Sequence, residues 1–230
     1  MESPKNDLSL KQAEYYGSLY EKHGVGVDAV ASGRQAYKNL RYEKLSRLFS
    51  QETRCSVHDV GFGLGHFHEY LKNRFPEKIE YSGSEVTPQF VEHCRRAYPD
   101  SKFFSRDLSQ RAFPERYDYL VFGGTFYHPA EADPAEFETF MRSMLLNGFA
   151  SASKGIAFNL ITSFVETRYP SLFYPDICQV IQFVAKELSR FFTIDHATPL
   201  YEYTVCVYRE GAIAELFPDE VFDKYFKCRK

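Results

Sequence analysis

Three glycines at alternate positions, Gly61, Gly63 and Gly65, interrupt the stretch Ser56 to Leu71, SVHDVGFGLGHFHEYL, between a short run of β character and a segment of helical periodicity. Strand, tight turn and helix in that order suit a nucleotide-bearing ligand. Glycine reaches positive φ and lets ligand atoms approach the backbone, while the first helical turn presents unpaired N–H groups at the positive end of its dipole. The spacing is GxGxG and lacks the x-x-G continuation of the dinucleotide fingerprint, which weakens a pyrophosphate reading. A glycine-rich turn in some other α/β protein would look the same, so a second group is needed. Ile79 to Glu85, IEYSGSE, reads as a second strand ending in a carboxylate. Carboxyl ends of neighbouring parallel strands line one crevice, which places Glu85 beside the glycine turn, where it can accept both hydroxyls of a ribose.

Positioning those groups requires a parallel sheet. Pro88 to Tyr98 reads as a helix starting near Thr87, a capping residue followed by proline at the first helical position. Lys102 to Ser105 is a third strand running into Asp107-Leu108, and Tyr117 to Phe122 a fourth ending at Gly123-Gly124. Pro134 to Phe149 is helical, with Phe137, Phe140, Met141, Met144 and Leu145 on its apolar side. A turn over Ser151 to Gly155 leads to a fifth strand, Ile156 to Ile161. Thr162 to Pro175, rich in aromatics and prolines, reads as a crossover or lid, and Asp176 to Phe192 as an amphipathic helix. The short connection between Phe192 to His196 and Tyr201 to Tyr208 favours an antiparallel pair. The expectation is an α/β fold, a mostly parallel sheet closed by that pair, in a single domain over residues 1–230. Upstream, Leu8 to about Phe49 reads as two helical pieces broken over His23 to Val27, the second beginning after Ser32. Residues 1–50 are expected to cap the open end of the crevice, with plain packing on the sheet as the alternative.

Hydrophobic residues make up 44% of the chain and charged residues 26%, as in a soluble globular protein. No long apolar stretch suggests a membrane span, and the polar amino terminus does not resemble a secretory signal, so a cytoplasmic location is expected. A net charge of -3 with scattered basic residues argues against a nucleic-acid surface, and the terminal KCRK run reads as a solvated tail. Five cysteines without close pairing or ligand-like spacing read as free thiols, with no structural metal.

With these residues in view, the chain from roughly Cys55 to Arg209 resembles the class I S-adenosylmethionine-dependent methyltransferases. The resemblance implies a three-layer α/β/α Rossmann-like sandwich on a seven-stranded sheet, S-adenosylmethionine as cofactor, S-adenosylhomocysteine as product, and no metal. Asp59-Val60-Gly61-Phe62-Gly63-Leu64-Gly65 matches the family's first motif, whose glycine backbone approaches the methionine part of the cofactor. Asp59 then orients the loop or the cofactor amino group, and Phe62 stands where many relatives carry a small residue. By the same resemblance Glu85 binds the ribose hydroxyls, Val86 packs beside adenine, Asp107 lies near the exocyclic amine and Leu108 gives a backbone contact. Phe122, Gly123 and Gly124 lie beside the sulfonium and the transferred methyl. The segments GLGHFHEYL, FGGTFY, AFNLITSF and YEYTVCVY look like a group of small methyltransferases of cellular or natural-product metabolism. That likeness, and the lack of an NPPY or DPPY signature, favours a free small molecule over DNA.

Methyl transfer is an in-line displacement on an already activated carbon. The protein must align and shield the reacting pair and, for a hydroxyl or amine, help remove a proton; a carboxylate acceptor needs no base. His128, in Phe126-Tyr127-His128-Pro129 beyond the fourth strand, is the candidate base, with substrate hydrogen bonding or a structural turn as alternatives. Tyr127 can orient a polar acceptor or pack by its ring. His66 and His68 straddle Phe67 and do not share a helical face as an i,i+4 metal pair would; His66 is expected near the cofactor carboxylate. Tyr16 and Tyr20 on the first helix, Arg47, Arg168 and Tyr169 in the late insertion, His196 near a strand end, and Tyr201 and Tyr203 in the last strand are candidates for a polar aromatic substrate pocket. An arginine there favours an anionic substrate. Period-two packing of Tyr201 and Tyr203 and solvent exposure of Arg47 and Arg168 explain the same residues without a pocket. The resulting expectation is O- or N-methylation of a small polar metabolite by a monomer or homodimer. A nicotinamide-dependent oxidoreductase and a non-catalytic cofactor-binding partner subunit are the alternatives.

Overall fold

A computed structural model describes residues 7–26 and 34–229. The polar stretch before Asp7, the Val27 end of the expected break, the Ser32 start of the second helix and Lys230 of the KCRK run lie outside these residues. Two helices, α1 (Asp7–His23) and α2 (Gln35–Ser46), come first. They are followed by β1 (Cys55–Val60), α3 (His66–Arg74), β2 (Ile79–Glu85), α4 (Pro88–Ala97), β3 (Lys102–Ser105), β4 (Tyr117–Phe122) and α5 (Pro134–Ser151). Then come β5 (Ala152–Ile161), α6 (Ile177–Phe183), β6 (Phe192–Asp195), β7 (Glu202–Tyr208) and α7 (Glu210–Leu216).

The strands form one seven-stranded sheet in the order β3-β2-β1-β4-β5-β7-β6. Its pairings are parallel except those of β7, which runs against both β5 and β6. The expected mostly parallel sheet with an antiparallel closing pair is therefore observed. Strand alternation divides the core in two. Leu120 and Phe122 of β4 join Phe137, Met141 and Leu145 of α5 and Val180 and Phe183 of α6 on one face. Tyr119 and Val121 join Leu45 of α2, Phe67 and Leu71 of α3 and Phe90 and Cys94 of α4 on the other. Chain order reverses at β1, whose neighbours are β2 and β4, and the carboxyl ends of these strands therefore open a crevice.

Helix starts follow local chemistry. Asp133 caps α5 by accepting from the Ala135 and Glu136 N–H groups, ahead of Pro134. Asp176 caps α6 by accepting from the Gln179 N–H. Thr87 precedes α4 as expected but makes no side-chain cap; its N–H instead donates to Glu85.

Two expected boundaries shift and one unexpected helix forms. The turn over Ser151 to Gly155 is absent: α5 runs to Ser151 and β5 starts at Ala152. There the Ser151 hydroxyl donates to the Asn147 carbonyl and accepts the Phe113 N–H, and Ala152 pairs with Tyr117. The helix expected to reach Phe192 ends early: α6 widens over Val184–Leu188, closed by a bond from Ser189 N–H to the Val184 carbonyl. Pairing of Phe192 with Val207 then claims the chain for the sheet. Past Arg209, where no helix is expected, α7 forms, and its Glu210 accepts from the Lys227 N–H.

Gly155 marks the tightest approach in the sheet, since a Cβ there would meet the Val207 carbonyl oxygen at 2.5 Å. Backbone cannot swing aside as a side chain can. Gly155→Ala should lower stability to urea by roughly 1–3 kcal/mol, as overpacking does. Gly211→Ala, where a Cβ meets nothing within 4 Å, should be neutral or stabilising by up to about 1 kcal/mol.

Candidate functional site

The turn after β1 carries Gly61, Gly63 and Gly65 at φ of 79°, 55° and 78°, a region that side chains disfavour. Gly61 donates its N–H to the Ser84 carbonyl, and a Cβ on it would meet Thr125 at 3.1 Å. Gly65 sits at the start of α3, where a Cβ would strike the Tyr98 ring at 2.7 Å. Across the turn, the Glu85 carboxylate is buried and accepts three backbone N–H groups: Gly63 at 3.1 Å, Val86 at 2.7 Å and Thr87 at 3.0 Å. Burial nonetheless lifts its pKa above the ordinary carboxylate range, against the pull of those donors. The Ser84 hydroxyl is buried without a partner. At the end of β3, Asp107 accepts the Ser109 N–H, and Asn147 of α5 donates to the Leu108 carbonyl, bringing Phe140 and Met144 to the same end.

The crevice holds about 1030 Å³ of empty space, its open mouth included, on the scale of a small-molecule pocket. Gly61, Phe62, Gly63, Glu85, Val86, Asp107, Leu108, Gly123, Tyr127, His128 and Tyr16, all singled out in the sequence, line it. His66 lines it too, with its pKa pushed down to about 4 by burial and then by Lys38 and His93.

Beyond Gly124 the wall is a hydrogen-bonded cluster. Arg41 of α2 grips Glu202 of β7 with Nε at 2.9 Å and Nη2 at 2.5 Å. The Tyr127 hydroxyl donates to the same carboxylate at 2.5 Å, and Asn159 of β5 donates to it at 3.0 Å and to the Tyr127 hydroxyl. Asn159 Oδ1 accepts the Gly124 N–H at 2.8 Å, tying the cluster to the end of β4. Burial holds the Tyr127 phenol well above its usual pKa, so it stays protonated and donates. The His128 backbone carbonyl accepts from Gln12 of α1 at 2.6 Å, and the His128 ring lies against Tyr15 and Tyr16. Its Nδ1 faces the Ser171 carbonyl at 3.1 Å. A carbonyl only accepts, so Nδ1 carries the proton and Nε2 keeps its lone pair.

The sequence does not single out Arg41, Asn159 or Glu202. A fully buried asparagine amid AFNLI and an acid within YEYTV break apolar strands, and only that break could have flagged them. Other sequence candidates lie elsewhere. Tyr203 is fully buried in the core and Tyr201 is 72% exposed; β7 alternation turns Glu202, not its neighbours, toward Arg41. Arg47 pairs with Asp195 and Glu43 at the surface. Arg168 donates to the Ser163 carbonyl, Tyr169 is 61% exposed, and His196 packs between Phe164 and Tyr203. Tyr20 packs on Phe90 and His93, Phe122 is core, and Gly65 and Asp59 stand behind the crevice lining. Among the described residues, no group of three His, Cys, Asp or Glu is placed to hold a metal, and no helix is long and apolar enough to cross a membrane.

Asp59 is fully enclosed beneath the turn and accepts from the Tyr81 hydroxyl at 2.9 Å. Burial pushes its pKa up to about 7, against about 3.9 for an unfolded aspartate. Between those values the folded chain holds the extra proton, so this contribution to stability is full below about pH 4 and is lost as pH rises through about 7. Asp59→Asn should flatten that decline, which amounts to a few kcal/mol at most, as read from urea melts at stepped pH.

No family model matches the chain. Malonyl-[acyl-carrier protein] O-methyltransferase of Acetivibrio thermocellus is 22% identical over 109 residues, 46% of this chain and 38% of that protein, so the match spans well under half the relative's length. Among solved structures, magnesium protoporphyrin IX methyltransferase of Synechocystis PCC 6803, with bound S-adenosylmethionine, superposes with a TM-score of 0.64 at 12% identity, over 90% of this chain and 99% of that one. The N-methyltransferase NodS of Bradyrhizobium japonicum WM9, in complex with S-adenosylhomocysteine, gives 0.60 at 17%, over 88% and 98%. The 1,6-didemethyltoxoflavin-N1-methyltransferase of Burkholderia thailandensis, with 1,6-didemethyltoxoflavin and S-adenosylhomocysteine bound, gives 0.60 at 12%, over 91% and 93%. Sheet order, the single reversed strand and these superpositions agree: the protein has the fold of the class I S-adenosylmethionine-dependent methyltransferases.

Proposed function

We propose that the protein transfers a methyl group from S-adenosylmethionine to an oxygen or nitrogen of a small molecule, giving S-adenosylhomocysteine. The observation that carries this reading is the convergence of the Gly61–Gly65 turn, Glu85 and Asp107 on one crevice at the carboxyl ends of adjacent strands. The residues fit the cofactor. Three of the four lone-pair directions of Glu85 are taken by backbone donors, and its raised pKa marks a buried carboxylate that gains from a further donor such as a ribose hydroxyl. Gly61 and Gly63 leave the backbone open to the methionine part, Val86 and Leu108 flank adenine, and Asp107 accepts from its amine. When bound, the cofactor supplies a methyl already activated by positive sulfur. Asp59 acts on the loop from behind rather than on the ligand.

In this reading α1 and α2 form a cap over the crevice, supported by Ser9, Gln12, Tyr16, Arg41 and Tyr42 along its lining. His128 takes the acceptor's proton at Nε2, its tautomer fixed by Ser171 and its plane by Tyr15 and Tyr16. Tyr127, locked to Glu202, positions the wall and is not a base. The small-molecule acceptor is supported by the relatives, one of which is solved with 1,6-didemethyltoxoflavin bound.

Glu85→Ala should abolish S-adenosylhomocysteine binding in calorimetry, losing at least about a hundredfold in affinity from one charged partner. Undiminished binding would remove the proposal. His128→Asn should keep cofactor affinity while lowering kcat about 10²- to 10⁴-fold on an acceptor found by panel screening. Burial holds the His128 pKa below the usual ~6.5, so the neutral base persists at neutral pH and the rate should fall only on acidification below that value.

A further inference from the structure

Resting on the methyl-transfer reading, we infer that the acceptor is an uncharged phenol-type hydroxyl on a planar ring, and that carboxylate and phosphate acceptors are rejected. The cations of the described crevice lining are Arg41 and Arg106. Arg106 is held in a fork by Glu115 at 2.8 and 3.0 Å and lies over the Phe104 ring. Arg41, next to the end of β4, spends its fork on Glu202 and lies over the Tyr127 ring. A bidentate arginine–carboxylate pair carries no net charge and offers a second anion little. Lys38, one turn earlier in α2, is not part of the lining; it is 1% exposed and feels Glu69. His66 and His128 are held neutral by burial.

The negative side is spent as well. Glu202 takes Arg41, Tyr127 and Asn159 at Oε2 and Arg41 again at Oε1, and it is not itself part of the crevice lining, so it offers a cationic amine in the crevice little. What the lining adds toward an acceptor is the rings of Tyr16, Tyr42 and Tyr127, the uncharged Ser9, Gln12 and Thr125, and two neutral imidazoles, of which His128 is the base of the proposed reaction. Aromatic walls suit a planar ring. A base is of no use to a carboxylate but is needed by a phenol, whose oxygen loses its proton as it gains the methyl. In that step the O–CH₃ bond forms as the S–CH₃ bond breaks, the electron pair of the latter goes to sulfur to give the neutral thioether, and the phenolic proton goes to His128 Nε2 and on to solvent.

The test is calorimetric titration of the S-adenosylhomocysteine complex with matched planar probes, 2-naphthol and 2-naphthoate, on the wild type and on Glu202→Gln, with thermal melts reporting folding. The wild type should bind the naphthol at least about tenfold tighter, and Glu202→Gln, which strips Arg41 of its counter-charge, should shift the ratio toward the naphthoate by a similar factor or more. Equal or tighter binding of naphthoate by the wild type, binding of neither probe, or a folded Glu202→Gln with an unmoved ratio overturns the inference. If that variant fails to fold, the wild-type ratio alone decides. Failure of S-adenosylhomocysteine itself to bind defeats instead the methyl-transfer reading, and the two failures are read separately.

Discussion

Glu85 takes three N–H groups, from Gly63 on the β1 turn and from Val86 and Thr87 at the entry to α4, and so stitches two connections together. Hydrogen bonds to a charged acceptor contribute roughly 1.5–3 kcal/mol each, while taking a carboxylate out of water costs several. The two nearly offset, and the upward shift of its pKa says that burial still wins. A group in that state holds the turn in shape. Gly61 in the left-handed region, packed against Thr125, and Gly65, with no space for a Cβ beside Tyr98, follow from the same closure of turn on strand.

The far end of the crevice is built on the opposite balance. Glu202 is gripped by Arg41 through two nitrogens and takes Tyr127 and Asn159 besides, and Asn159 passes the arrangement to the Gly124 N–H. Such a cluster joins α2, the β4 turn, β5 and β7 through side chains as well as through the sheet. Breaking one member leaves a buried charge uncompensated, so the cluster acts as a unit. It fixes the position of the Gly123-Gly124 backbone without presenting charge of its own.

How far these two ends were legible in the sequence differs for a physical reason. The glycine turn, Glu85 and Asp107 each terminate a strand, and parallel topology brings strand ends together whatever the side chains between them, so pattern alone locates them. The Arg41–Glu202 pair spans 161 positions and requires knowing how a helix before the sheet meets its last strand inserted between β5 and β6. Tyr201 and Tyr203 attract notice for their hydroxyls, yet a strand turns alternate residues away, and the one between them faces the site. Arg47 and Arg41 pose the same problem in and just after α2: composition makes them equivalent, and only packing sends one to Asp195 at the surface and the other into the crevice. The helix end failed, stopping at Leu188 short of Phe192, whereas the strand expected from Phe192 does begin there and pairs with Val207.

Under the methyl-transfer reading, the two carboxylates at opposite ends of the crevice divide the labour of recognition. In the methyl-transfer reading the polar groups of defined position, Glu85 and Asp107, stand at the cofactor end. At the far end Tyr127, Arg41, Asn159 and Glu202 are matched with one another, and in the methyl-transfer reading a ligand there gains mainly contact area, ring packing and a proton acceptor. Selectivity built this way follows shape and acidity of the acceptor and is weakly sensitive to salt, because screening acts on exposed charges and leaves matched, buried ones little changed. If the methyl-transfer reading holds, acceptors would change by replacing aromatic residues at the wall, while the Glu85 stitch between the β1 turn and α4 stays untouched.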